Sequence, residues 1–466
     1  MSRRQNRGQQ RRWRWAALIL AALWLAGCGW TGGARQLQGT LLVWHTWPAA
    51  RGETLDAFFD SFMEINPAVT VVSEYVPLDD LLARFDDQAA AGLGPDLIIG
   101  VTPAMTRELA GKNLLADLTP YEPDVSNLLV RAVDGLRVNA EAEELSPLFG
   151  LPIAAHTQVL FFNKKRVEQA PQTLNEVLEV ARAGQIIAFP SDFQHSFWGI
   201  RGFGGEIVID GGVSATGVVD GYVRNGAQVT IDGGLDEWLQ WLQSAQKEPN
   251  IILSDDPEEL YALFASGRAT YYIGESIRLP QLREQLGEDA VGVAYLPDNI
   301  QPTLSEDSET TPPAQKLYGA DEPPGAFLAL EVAALSNISA RKKLALDLLI
   351  FLTNPVHQRR LASSDLGYVP INQRVRFDHR LSASETTIVR QSGTAVIISL
   401  QDIRLLERLS EISNAVYAQV LEGVLEPEEA AAQIQEALRL AAAEEGADPL
   451  AEVSATASAE PDGAGN

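Results

Sequence analysis

The sequence predicts an α/β protein of at least two domains, on three observations. From residue 40 onward, strand-like and helix-like stretches alternate, the pattern of a largely parallel sheet flanked by helices. An extended, mostly apolar run over residues 151–163 is long enough to pass from one domain into another. The chain has 466 residues, more than the ~100–200 of a single domain.

Each element has a local reason. Residues 1–14 carry six arginines and no acid, and Trp15 to Ala26 is an uncharged run of twelve ending at Gly27-Cys28. A basic stretch, a short apolar run and a small-residue stop predict a secretory signal over 1–27, the run being too short to span a bilayer comfortably. An uncleaved anchor with a chance cysteine is the alternative. Residues 28–38 read as a tether. Thr40 to Trp44 is β-rich, and Glu53 to Ile65 places Leu55, Phe58, Phe59, Phe62 and Ile65 at helical spacing. Val69 to Val76 is a strand, and Asp79 and Asp80 open a helix bearing Leu81, Leu82 and Phe85. Gly94-Pro95 breaks the chain before the apolar strand Asp96 to Ile99.

Beyond the run over 151–163, interrupted at His156-Thr157-Gln158, Thr173 to Glu176 predicts a capping box and a helix through Ala183. Ile186 to Phe189 is a strand, and Asp-Gly-Gly turns at Asp210 and Asp232 flank irregular β structure before a helix holding Trp238 and Leu242. Trp238 and Trp241, three apart, read as one packing face, and Trp44 as core. Asp256-Pro257 starts a helix through Phe264, followed by a strand over Thr270 to Ile273. A polar loop covers 297–325, then a strand over Ala326 to Leu335 and a helix over Ser339 to Phe351. Helical patterns run from about 401 to 444, and the last twenty residues read as a disordered tail.

Composition limits the function. Thirty-six basic residues against 62 acidic ones give a formal charge of −26, which argues against nucleic acid as a partner. Removing the six leader arginines takes that to about −32. One cysteine excludes a disulfide framework and thiolate metal cages. Five scattered histidines show no metal spacing, and no nucleophile elbow, zinc-protease or phosphate-loop motif occurs. No cofactor, catalytic residue or metal ligand is therefore expected.

Several ordered segments carry a family resemblance. They are Val43 to Trp47 followed by the Phe58/Phe59/Phe62 helix and Asn66-Pro67; Ala90 to Leu97; Leu151-Pro152-Ile153 with Phe161 to Lys164; Phe264 to Ala269; and Phe351 to Pro355 with Gly367 to Pro370. In this order they resemble the extracellular solute-binding proteins, family 1, of bacterial ABC importers, the maltose- and oligosaccharide-binding type. Leu25-Ala26-Gly27-Cys28 resembles a lipobox, in which Cys28 would be lipidated and become the mature N-terminus. The resemblance implies a type II periplasmic-binding-protein fold, two α/β lobes closing on a ligand about an interlobe hinge. It places lobe 1 at 39–152 plus 292–352, lobe 2 at 153–291 plus 353–440, and a tail at 441–466. It also implies a sugar or oligosaccharide ligand, ABC permease subunits as partners, a membrane contact through the lipid, a monomer, and export.

Ligands of open α/β sheets sit beyond the carboxyl ends of strands. The candidates there are His45, Thr46 and Trp47; Val101 and Thr102; Phe193, Gln194, His195, Ser196, Phe197 and Trp198; and Glu275 with Ser276, of which all but Val101, Thr102 and Ser196 are taken as ligand contacts. Aromatic rings suit the apolar faces of a sugar, and amides, carboxylates and imidazoles its hydroxyl edge. The resemblance adds His156, where a maltose binder has a ligand-contacting glutamate, and Tyr368 in the last matching segment. Three positions depart from that maltose binder. Gly274-Glu275-Ser276 replaces a stacking tryptophan, Pro48-Ala49 an Asp-Lys pair, and Val101 a second tryptophan. Arg278 could meet a carboxylate or phosphate. The same fold holding a sugar phosphate or polyamine, a glycoside-active lipoprotein, and a sensory lipoprotein remain the alternatives.

Overall fold

The computed structural model describes residues 37–137, 146–210, 213–214, 228–299, 324–363, 366–376, 382–400 and 403–444. The leader and Cys28 lie outside the described residues; of the tail expected at 441–466, residues 441–444 continue the last helix and the rest lies outside the described residues. One five-stranded sheet takes β1 (Gly39–His45), β2 (Val69–Tyr75), β3 (Leu97–Val101), β4 (Leu151–His156) and β13 (Ala329–Leu335) in the order β2-β1-β3-β13-β4. A second takes β5 (Gln158–Asn163), β6 (Ile187–Pro190), β10 (Ile251–Ser254), β11 (Tyr271–Glu275) and β12 (Val291–Ala294) in the order β10-β6-β11-β5-β12. A small antiparallel sheet adds β7 (Glu206–Asp210), β8 (Val213–Ser214) and β9 (Gln228–Asp232). Both large sheets are mixed rather than purely parallel, because β13 runs against β3 and β4, and β5 against β11 and β12.

The first lobe packs α1 (Ala49–Ile65), α2 (Leu78–Ala90), α3 (Pro103–Gly111), α4 (Val130–Asp134), α10 (Lys342–Leu352) and α11 (Pro355–Ser363) around its sheet. The aromatic stripe of α1 explains its place: Leu55, Phe58, Phe59 and Phe62 are all buried. That helix stops where the Asn66 side chain donates to Phe62 O at 2.9 Å, just before Pro67. Every residue of β3 is buried, as expected of a strand covered on both faces. Trp44 is core, edge-on to Phe85. Buried Asp96 accepts from Leu42 N at 2.9 Å and Ser339 Oγ at 2.5 Å, which ties β1 to the start of α10.

The second lobe holds α5 (Leu174–Arg182), α6 (Phe193–Gly202), α7 (Leu235–Gln246), α8 (Pro257–Ala265), α9 (Leu279–Leu286), α12 (Ala383–Gly393), α13 (Ile403–Leu421) and α14 (Pro427–Glu444). Thr173 caps α5 through Glu176 N at 3.1 Å; the Glu176 carboxylate answers to Gln172 N rather than to Thr173. Asp256 caps α8 at Glu258 N. Trp238 and Trp241 stack at 5.3 Å and 7° in a core with Phe189 and Trp198. Such aromatic pairs add about 0.5–1.5 kcal/mol each beyond burial.

Three expected boundaries move. β4 belongs to the first sheet and β5 to the second, so the crossover is Thr157 rather than 152/153. β12 pairs with β5, which keeps 292–294 in the second lobe. Residues 355–363 and 366–376 belong with the first lobe: Ala155 and Val369 exchange backbone hydrogen bonds, and Leu129 N donates to Ile371 O at 2.7 Å. The sequence cannot show this, since helices and strands look alike whichever sheet they cover.

The connections meet at one point. Thr157 O accepts from Ser276 N at 2.8 Å, Thr157 Oγ1 donates to Phe327 O at 3.2 Å, and Ser276 Oγ donates to Gly367 O at 2.6 Å. Gly367 has φ +76°, and a Cβ there would lie 2.0 Å from Ser276 O, so only glycine lets these segments approach. Segment 394–400 is gripped from both lobes, by Arg131 at Ala395 O and Arg201 at Thr394 O.

Candidate functional site

The carboxyl ends of β1, β6, β10 and β11 converge beside this hinge. After β1 the chain turns through Thr46 into Trp47, whose indole lies over Gly100. Gly100 has φ +82°, and a Cβ there would stand 2.5 Å from Trp47 Cδ1 and 2.6 Å from Thr46 Oγ1. The glycine thus makes the floor on which the ring rests. Trp47 stacks on Tyr368 with centroids 5.2 Å apart and planes at 24°. Its Nε1 donates to Glu331 Oε2 at 3.2 Å, and Arg51 from the first turn of α1 donates to the Tyr368 hydroxyl at 3.3 Å.

Glu331 is the one charged residue of the otherwise apolar β13, and its side chain is only 12% exposed. His156, at the end of β4, stands between two carboxylates from the two lobes. Its Nε2 is 3.8 Å from Glu331 Oε1 and its Nδ1 is 3.8 Å from Glu275 Oε1. Arg51, Tyr368, Glu331, His156 and Glu275 therefore form a chain of polar groups across the cleft.

Burial pushes the Glu331 carboxyl above its ordinary value, against the opposing pull of His156, Trp47 and Arg51; nearby Glu275 pushes it further up. Burial also raises the Tyr368 hydroxyl well above its ordinary value, with Glu331 adding to it. Arg51 goes upward despite burial, because Tyr368, Glu331 and Glu275 outweigh the loss of water.

On the second lobe, Gln158, Asp192, His195, Tyr272, Glu275 and Arg278 line a pocket floored by Pro190 and Ser254 at the ends of β6 and β10. Asp192 caps α6 by accepting from His195 N at 3.0 Å, and its carboxylate also meets His195 Nδ1 at 2.9 Å. Burial alone would lower this imidazole, but Asp192 outweighs it and the net shift is upward. Arg278 pairs with Glu258 and lies over the Tyr261 ring.

His195 and Glu275 line this pocket, while Trp47, His156 and Tyr368 lie buried behind it, joined to it through the facing His156 and Glu275 side chains. Thr46 adjoins Trp47, half-buried, with its hydroxyl donating to Gly100 O. Ser276 is fully buried and serves the hinge rather than the cleft. His45 is buried with its ring 5.9 Å from Tyr75. Gln194 is exposed.

Phe193, Phe197 and Trp198 are not cleft plates. All three are core, Phe197 stacked on Phe327 at 4.7 Å and Phe193 edge-on to Tyr417. The cause is the helical period: residues 193–202 form α6, so positions 193 and 197 point inward together while His195 faces the pocket.

Arg51, Gln158, Asp192 and Glu331 escaped the sequence reading. Glu331 alone had a usable signal, a lone carboxylate inside an apolar strand, which is costly unless it serves something. Among the described residues no group of three or more His, Cys, Asp or Glu side chains could hold a metal ion. No helix among them is long and apolar enough to cross a membrane.

Residues 57–384 match the family described as bacterial extracellular solute-binding protein. A maltotriose-binding protein of Pyrococcus abyssi is 26% identical over 346 residues, covering 73% of this chain and 68% of that protein. Solved structures share the two-lobe fold. The GacH receptor of Streptomyces glaucescens, solved unliganded and with acarbose, superposes with a TM-score of 0.64 at 18% identity, over 88% of this chain and 99% of that one. The maltose-binding periplasmic protein of Listeria monocytogenes, solved with maltose, gives 0.65 at 16% identity, over 88% and 99%.

Proposed function

We propose that this chain, which belongs to the bacterial extracellular solute-binding proteins, captures a sugar or oligosaccharide between its lobes and hands it to an ABC permease. The observation that carries the reading is the Trp47–Tyr368 stack beside a carboxylate, an imidazole and a guanidinium, with a second polar wall from the other lobe. Stacked rings match the apolar faces of a pyranose, and the charged and amide groups match its hydroxyl edge. The maltotriose-binding relative and the maltose- and acarbose-bound structures support a sugar.

Both rings are 2% exposed and both belong to the first lobe, so the reading requires the lobes to part about the Thr157–Ser276–Gly367 knot and the Trp47–Tyr368 stack to open toward the ligand. Ligand contacts with both lobes then shift the population from open to closed. The closed shape is what the permease reads, and no bond in the ligand is made or broken. The protein acts as an exported monomer, with a lipid on Cys28 holding it at the membrane and raising its concentration near the permease.

Isothermal titration with maltotriose and a panel of mono- and oligosaccharides tests this. At least one sugar is expected to bind, with affinity lost tenfold or more in Trp47→Ala and Tyr368→Ala. No binding across the panel, or unchanged affinity in both variants, would refute it. For the anchor, Cys28→Ser is expected to leave the membrane fraction; a variant still membrane-bound counts against lipidation.

A further inference from the structure

The polar chain across the cleft has one gap. Glu331 accepts a hydrogen bond from Trp47 Nε1 at 3.2 Å and only faces the Nε2 of His156, 3.8 Å away. With the His156 proton on that Nε2, its Nδ1 is an acceptor. This atom is buried and has no hydrogen-bond partner, in a side chain only 10% exposed. It faces Glu275 Oε1 at 3.8 Å, too far for a direct bond. Two acceptors thus look at one another across the lobe boundary, one of them a carboxylate. The nearby guanidiniums are engaged elsewhere, Arg51 with the Tyr368 hydroxyl and Arg278 with Glu258.

A ligand hydroxyl has one proton and can satisfy only one of these acceptors. An ammonium group has three, carries the positive charge that complements the Glu275 carboxylate, and its charge-assisted bonds are about twice as strong as neutral ones. We propose that the Glu275–His156 gap is a subsite for an amino group, so that the cleft selects a sugar bearing a primary amine over its hydroxyl counterpart. This rests on the cleft being a sugar site. Glu275, from the second lobe, and His156, from the first, would both hold that nitrogen, and the amine would therefore favour lobe closure.

The test is titration calorimetry at pH 7 on the full chain with two matched pairs. They are the β-1,4 glucosamine dimer against cellobiose, and maltotriose against maltotriose with one terminal hydroxyl replaced by an amino group. In at least one pair the amine is expected to bind tenfold or more tighter, and that ratio should fall to within twofold in Glu275→Gln. Glu275→Ser serves as the second variant, and unfolding curves confirm that both remain folded. A neutral sugar binding as tightly as its amine in both pairs overturns the subsite and leaves the sugar cleft standing. An amine preference that survives both Glu275 variants also overturns it. Binding by neither member of either pair overturns the subsite; if the panel above is silent as well, the sugar reading falls with it.

Discussion

Replacing Gly100 with alanine examines the geometry of the site through its floor. The backbone there has φ +82°, and the added Cβ would fall 2.5 Å from Trp47 Cδ1 and 2.6 Å from both Trp47 Nε1 and Thr46 Oγ1. The left-handed backbone alone costs an L-residue about 1–2 kcal/mol. Overpacking against a fixed neighbour adds about 1–3 kcal/mol. The ring cannot move away freely, because it is held by the Tyr368 stack and the Glu331 hydrogen bond. The expected loss is therefore about 2–5 kcal/mol, with sugar affinity falling as Trp47 shifts. Gly92→Ala isolates the backbone part: its φ is +69° and nothing lies within 4 Å of the added carbon. That variant should lose only about 1–2 kcal/mol and keep its affinity. Urea unfolding followed by circular dichroism reads both, a lower midpoint at unchanged slope marking lost stability. A Gly100→Ala protein within about 0.5 kcal/mol of the parent, with unchanged affinity, would refute this account of Trp47.

Two further outcomes follow from other parts of the fold. Phe197→Ala should destabilise the second lobe by about 3–5 kcal/mol while leaving sugar affinity within twofold, as measured by urea unfolding and calorimetry, since its ring stacks on Phe327 in the core. The Asp192 partner raises the His195 imidazole above its ordinary 6.5 despite burial, so the stability this pair contributes is fully present below about pH 6.5. It is lost as pH rises through the folded value, so the parent's melting temperature is expected to fall as pH rises above 6.5, and His195→Gln should flatten that fall. A variant whose pH profile overlays the parent's would contradict the pairing.

Much of the frame was legible because it is local. The stripe Leu55–Phe58–Phe59–Phe62, the caps Thr173 and Asp256, and the stacked Trp238–Trp241 face all follow from spacing within one helix. Trp47 and Glu275 were legible for a related reason, since each sits at or just past the end of a strand, and His156 only through the family resemblance. The aromatics after β6 show where that rule fails. A strand end says that a residue is near the cleft, but the helix phase decides which side chains face it, and it sends His195 outward and Phe197 inward.

What the sequence alone determined is therefore the alternation of elements, their caps, and the segments shared with solute-binding proteins. Tertiary structure decided the site itself. Glu331 reaches Trp47 across 284 positions of sequence, and Arg51 reaches Tyr368 across 317. It also decided that residues 355–363 and 366–376 return to the first lobe and that Thr157, Phe327 and Gly367 meet at the hinge. Spacing along a chain fixes which residues share a face of one element. Which faces then meet depends on strand order and on the crossovers between sheets, and neither leaves a periodic trace in the sequence.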